Sequence, residues 1–329
     1  MKWSAIVGTA VGIGLSAWLL QAYGIERILQ LLADAGWFGI LAVIAFHLMQ
    51  ILFSAAAWRV IAGLTAVRPS LPEYMVLRWI REGVNNLLPV AQIGGEFVAA
   101  RLLHRRGVNL APAIAGTVAD LTLEMVTQIV FTLLGLVLLL YSVGGGTVGS
   151  YVAGGLAVAA VLAAGLVCAQ WLGLALAIEN GLLRLGRLLQ WNGTAKVAGL
   201  HDALIARYRP PPRVALAALW HMISWLLGGL EVMLALYFLG HRIDLTTGLI
   251  IESLGQAMKA FGFAVPGALG VQEGGYIIIC GSFGLSPEVA IALSLIKRLR
   301  EVVLGVPGLL AWQRSEAKAR AAPVTGVLP

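Results

Sequence analysis

The chain has 329 residues, of which 59% are hydrophobic and 12% charged, with a formal net charge of +7 and a mean hydropathy of +0.88. So little polar surface cannot cover a water-soluble globule of this length, which leaves an integral membrane protein. The basic balance does not point to nucleic acid, because the arginines and lysines decorate the ends of apolar stretches.

Residues 4–23 read as a first membrane helix, retained because no small-residue cleavage site follows Leu20. Residues 25–36 place Ile25, Ile28, Leu29 and Leu32 on one face and predict an interfacial helix. Residues 37–58 are long enough to cross the hydrocarbon. They carry His47 and Gln50 at mid-span, a polar pair expected to bond between packed helices.

Ser70, Leu71, Pro72 and Glu73 make a capping-box start. The helix that follows is no ordinary span, because Arg78, Arg81, Glu82, Asn85 and Asn86 precede Pro89. Residues 71–103 are therefore predicted to be two half-helices forming a re-entrant hairpin, interrupted at Pro89, Gly94 and Gly95. Such backbone is tolerated at membrane depth only where it is buried in protein or lines a wet cavity.

Residues 111–141 form the next span, with Asp120 and Glu124 one turn apart on one face. Residues 150–172 return, and 173–213 make the longest extramembrane segment. There Leu182, Leu183, Leu185, Leu188 and Leu189 set against Arg184 and Arg187 predict a helix lying on anionic inner-leaflet lipids. Residues 214–239 cross again and contain His221 and Glu231. Residues 244–284 repeat the hairpin pattern, with breaks expected at Pro266, Gly267 and Gly270 and flexibility at Gly274 and Gly275. Residues 286–312 close the membrane part, with Lys297, Arg298, Arg300 and Glu301 near mid-depth. Lys2, Arg59, Arg68, Arg101, Arg105, Arg106, the basic 184–213 segment and the tail then fall on one side, so both termini are expected in the cytoplasm.

The two hairpins are related. Pro89 to Glu96 reads PVAQIGGE and Pro266 to Glu273 reads PGALGVQE, and Gly107 with Gly284 and Glu124 with Glu301 keep the same offset of 177 positions. Charge-derived topology makes the halves antiparallel, as an inverted repeat requires. The expected fold is an all-α polytopic membrane protein, an inverted-topology repeat with two re-entrant broken-helix hairpins. Residues 24–141 form the first half, 142–212 the connecting span and amphipathic segment, 213–313 the second half and 314–329 the tail.

Glu96 and Glu273 stand beside the breaks, where unpaired backbone and water meet, and are the leading site candidates. Their carboxylates suit a cation, a proton or an amine-bearing head group, with Gln92, Gln272, Asn85 and Asn86 as neutral hydrogen-bonding partners. About the pseudo-twofold axis, Asp120 is expected to pair with Lys297, and Glu124 and Glu301 to bond Arg298 or Arg300. The plainer alternative is that Asp120, Glu124, Lys297 and Glu301 serve only in charge neutralisation that locks the helices together. Cys168 and Cys280 lack ligand-like spacing, a phosphate-binding GxxxxGK[ST] loop is absent, and a single DxxxE at Asp120 and Glu124 is weak for magnesium. No cofactor or resident metal is expected.

NLLPVAQIGGEFVAARLL, VADLTLE, IESLGQAMKAFGFAVPGALGVQEGGY and LSLIKRLREVVLGVPGLLAWQ together resemble the lysylphosphatidylglycerol synthase transmembrane-region family, closest to its hopanoid-biosynthesis-associated bacterial members. The resemblance implies an inner-membrane protein whose relatives use this region to flip aminoacylated lipid. Lysyl transfer itself is not expected. The functional expectation is a translocator of hopanoid or another polar-headed lipid, working without ATP hydrolysis. The alternatives are a membrane-embedded lipid-modifying enzyme, or a scaffold recruiting hopanoid-biosynthesis enzymes through residues 173–213. Oligomeric state is left open.

Overall fold

The computed structural model describes residues 18, 21–63, 65–88, 94–143, 199–261 and 268–321, and among them every regular element is a helix. In chain order these are α1 (Ile25–Ala62), α2 (Leu71–Leu87), α3 (Gly94–Arg105), α4 (Leu110–Val143), α5 (Leu200–Tyr208), α6 (Pro211–Phe238), α7 (Leu245–Phe261), α8 (Val271–Gly281) and α9 (Pro287–Ala321). The expected span over 150–172, nearly all of the first helix, and the leucine-rich part of the amphipathic segment lie outside the described residues.

Among the described residues three helices, α1, α4 and α6, are long and apolar enough to cross a membrane. The protein's outside is correspondingly apolar, with Trp37, Phe38, Phe97, Tyr141 and Ile278 each more than two-thirds exposed. Charged side chains are buried instead: Arg81, Asp120, Glu231, Glu252 and Lys297 are at most 2% accessible. This inside-out distribution is what lipid as solvent selects. The protein is a polytopic all-α membrane protein.

Local chemistry sets the helix limits. Gly36, at φ 65° and ψ 167°, splits α1 into an interfacial piece and a spanning piece where the expected interfacial helix ends. At the start of α2, the Ser70 N–H and hydroxyl both donate to the Glu73 carboxylate, at 2.7 and 2.8 Å. Those bonds, the backbone one foremost, hold the Glu73 carboxyl below its usual range. Asp244 does the same service before α7, accepting the Thr247 N–H at 2.7 Å, and is likewise held low by bonds from Thr247. The helix expected to finish at 312 runs on to Ala321, continuing through Pro307.

The two halves share more than motifs. Helices α3 and α8 begin at Gly94 and Val271, and α4 and α9 at Leu110 and Pro287, both 177 positions apart. Gly107 and Gly284 make the intervening turns in the left-handed region, at φ 92° and 73°. Packing follows the same exchange: α2 folds onto α3 as α7 does onto α8, α9 crosses α2 as α4 crosses α7, and α1 runs along α6. Missing side chains permit these crossings. A Cβ on Gly83 would sit 2.8 Å from the Gly305 carbonyl oxygen, and one on Gly135 only 1.7 Å from Ser253 Oγ.

The apolar interior is divided. One cluster gathers Trp58, Leu77, Ile80, Leu103 and Leu204, mostly from the first half. The other gathers Val232, Leu236, Ile250, Tyr276 and Ile296 around α6 to α9, with Ile28 and Val43 from α1. Neither contains the charged groups, of which His47, Glu82, Glu231 and Arg300 meet where the halves join.

Candidate functional site

A cavity of about 470 Å³ lies where helices of both halves converge. Helix α1 contributes His47, Gln50 and Ser54, and α2 contributes Arg78, Arg81, Glu82, Asn85 and Asn86. Each set falls at three- and four-residue steps, so each makes one stripe on its helix. Glu96 comes from α3, Glu124 and Gln128 from α4, Ser224 and Trp225 from α6, Gln256 and Lys259 from α7, and Arg300 from α9.

Arg81 is the hub. Its guanidinium reaches Glu96 at 3.0 Å, Asp120 at 2.6 Å and Glu124 at 2.7 Å, and lies 5.8 Å from the centre of the Trp58 ring. Its planar fork of five donors serves three carboxylates and keeps each in a fixed direction. Arg78 also binds Glu124 through two nitrogens and Glu82 at 2.9 Å. His221 meets the other oxygen of Asp120 at 3.0 Å.

Glu96 is the third residue of α3, and Asn85 ties it to α2. The Asn85 amide donates to Glu96 at 3.1 Å while its carbonyl accepts the Gly95 N–H at 2.7 Å. A Cβ on Gly95 would stand 2.4 Å from the Arg81 carbonyl oxygen. The glycine there lets the two half-helices touch. Helix α2 ends before an extended Leu88 at φ −104° and ψ 147°, and α3 starts at Gly94, so Gly94 and Gly95 stand in its first turn. The proposed break residues Pro89, Pro266 and Gly267, and the candidate Gln92, lie outside the described residues.

A second hub joins the halves. Glu231 of α6 accepts from His47 Nδ1 at 3.0 Å, from Gln50 and from Arg300. His47 Nε2 faces Glu82 of α2 at 3.4 Å. Lys259 of α7 donates to Asn86 at 3.2 Å and to Glu301 at 2.5 Å, and Arg300 lies 3.7 Å from Glu301.

The second hairpin is different. Glu273 accepts the Gly270 N–H at 2.7 Å, the Ser294 hydroxyl at 3.2 Å and Arg298 Nε at 2.5 Å. It closes its own helix start and does not line the 470 Å³ cavity. Gln272 is buried beside it at 2% exposure. Gly274 and Gly275, expected as flexible points, sit inside α8. Gly275 is there for contact, since a Cβ would meet Met258 Cγ at 2.7 Å.

The pairing expected between Asp120 and Lys297 is not formed. Asp120 bonds Arg81 and His221, while Lys297 bonds Glu252 with both groups at 2% exposure. Glu124 likewise meets Arg78 and Arg81 instead of Arg298 or Arg300. The guanidinium groups of Arg78 and Arg81 on α2 reach both α4 carboxylates, while on α9 Lys297 is engaged with Glu252, Arg298 with Glu273 and Arg300 with Glu231. Glu301 does find Arg300, together with Lys259. The residues overlooked as site members are Arg78, Arg81, Glu82, His47, Gln50, Glu231 and Lys259. Their signal was a run of ionisable or amide side chains at helical spacing inside apolar segments.

No match was found among curated proteins or among solved structures. Residues 5–308 match the family described as the lysylphosphatidylglycerol synthase TM region. With a match over nearly the whole chain, carried on a helical membrane fold, the protein belongs to the lysylphosphatidylglycerol synthase TM region family.

Proposed function

We propose that the protein translocates a polar-headed lipid, a hopanoid being the leading candidate, across a bacterial inner membrane without ATP hydrolysis. The carrying observation is the 470 Å³ cavity, lined by charged and amide side chains of both halves beside an interrupted helix. Burying so many ionisable groups costs several kcal/mol each unless they are paired or wetted. A hydrated path for a head group accounts for their presence. In this reading the two hairpins are re-entrant from opposite faces, both termini are cytoplasmic, and alternating exposure arises from one half rocking against the other.

In this reading Glu96 meets the head group: it lines the cavity, and its carboxylate, bonded to Arg81 and Asn85, exchanges these partners for the cargo. Purified protein in proteoliposomes containing fluorescent phosphatidylglycerol, fluorescent phosphatidylethanolamine or a labelled hopanoid would test this. Wild type moves at least one probe between leaflets, and Glu96→Gln slows it at least tenfold. Equal rates in protein-free vesicles, or an unaffected variant, would remove the reading.

The enzyme alternative has less to rest on. Asp120 and Glu124, weighed as magnesium ligands, are committed to Arg78, Arg81 and His221. Anionic lipids and hopanoid-biosynthesis enzymes remain proposed partners of residues 173–213, and deletion of 173–198 would test that by loss of membrane co-purification of those enzymes.

A further inference from the structure

His47 stands between two carboxylates on different halves. Its Nδ1 is 3.0 Å from Glu231 of α6 and its Nε2 is 3.4 Å from Glu82 of α2. Each carboxylate has its own arginine: Arg300 donates to Glu231 and Arg78 to Glu82 at 2.9 Å. Both therefore act as acceptors only. A neutral imidazole offers one N–H and one lone pair, so it satisfies one of these neighbours and repels the other. With both nitrogens protonated, the ring bridges both.

The surrounding charges leave this assignment in place. From its own helix, Gln50 donates to the same Glu231 oxygen. From α9, Arg300 and Glu301 are near, and Glu301 is engaged with Lys259 and Arg300. From α4, Glu124 turns to Arg78 and Arg81. The ring also has access to water, because it lines the main cavity and a neighbouring void of about 10 Å³ with Glu82, Asn86 and Arg300. That void has room for one water molecule.

We infer that His47 is a proton-binding site whose occupancy latches α2 to α6 and thereby gates the cavity. Loss of the second ring proton leaves a lone pair facing Glu82, and the tie between the halves becomes a repulsion. The switch is one-sided. The position 177 residues on from His47 is Ser224, which bonds Ser54 at 3.0 Å and cannot titrate. The inference deepens the translocator reading and rests on it only for what the opened cavity carries.

The test uses full-length protein in detergent, labelled with nitrogen-15 at its five histidines, with His47→Gln identifying the signal. At neutral pH the His47 ring should carry protons on both nitrogens and should lose one as pH rises. Over the same interval, spin labels at exposed Val76 on α2 and Leu219 on α6 should move apart, in a background lacking the native cysteines. Glu82→Gln provides a second variant: the second acceptor charge is gone, so the ring should be singly protonated at neutral pH. A singly protonated His47 in the wild type, or label distances that ignore pH while the ring titrates, would overturn the inference. Neither readout involves lipid. Failure here leaves translocation standing, and a protein showing both changes while moving no probe lipid would keep the latch and lose the transport reading.

Discussion

Lys297 and Glu252 offer the sharpest test of which buried charges are structural. Both side chains are 2% exposed, they bond each other, and neither lines the cavity. Removing one partner strands the other in an apolar interior, a change that costs about 3–5 kcal/mol. Lys297→Met and Glu252→Gln should each show a loss of that order in equilibrium unfolding in mixed micelles. The double variant has no stranded charge. Met fills the lysine's space, and the amide that replaces the Glu252 carboxylate retains the contact with Gln256, which reaches Glu252 at 2.8 Å. What remains is an incompletely bonded buried amide, about 1–3 kcal/mol. The expected double loss is thus well below the roughly 6–10 kcal/mol that adding the single losses would give. Lipid movement should survive in the double variant. Additive losses, or single losses below about 1 kcal/mol, would refute the reasoning.

Glu273→Gln should destabilise by about 1–3 kcal/mol in the same unfolding assay, because the helix-start bond and the Arg298 partner are both weakened; Glu96→Gln should act mainly on transport. Gly135→Ala should cost about 1–3 kcal/mol by driving a methyl into Ser253, and Ser253→Gly should restore most of it. The Glu73 carboxyl is held below its ordinary value of 4.5 by Ser70, so its contribution is present above that value and is lost as pH falls through the lowered one. Unfolding followed from neutral pH into that acid range should accordingly show a smaller stability decline for Glu73→Gln than for wild type.

Composition and spacing carried much of the architecture. Gly36, the Ser70 start and the interruption after Leu87 were all readable from local rules, since each is decided by a handful of adjacent residues. The 177-residue offset was readable too, through Pro, Gly and Glu positions that an apolar chain does not produce cheaply. The partners of the buried charges were not. His47 and Glu231 are separated by 184 positions, and no periodicity tells which of several cations a carboxylate will choose. Asp120 illustrates the difficulty: pseudo-twofold symmetry assigned it to Lys297, and the donor-rich guanidinium of Arg81 took it instead. The sequestration of Glu273 was equally hidden, because its motif matches that of Glu96 and the difference lies in Ser294 and Arg298, over twenty residues away.

That contrast between the two glutamates has a mechanical meaning. Sister lobes that began alike now hold one acid at the cavity wall, bonded to Arg81 and Asn85, and keep the other clasped by its own helix and a neighbouring guanidinium. Under the proposed translocation, exchanging the roles of the lobes would mean breaking the Glu273 bonds to Gly270, Ser294 and Arg298, so the second lobe is expected to yield less readily than the first.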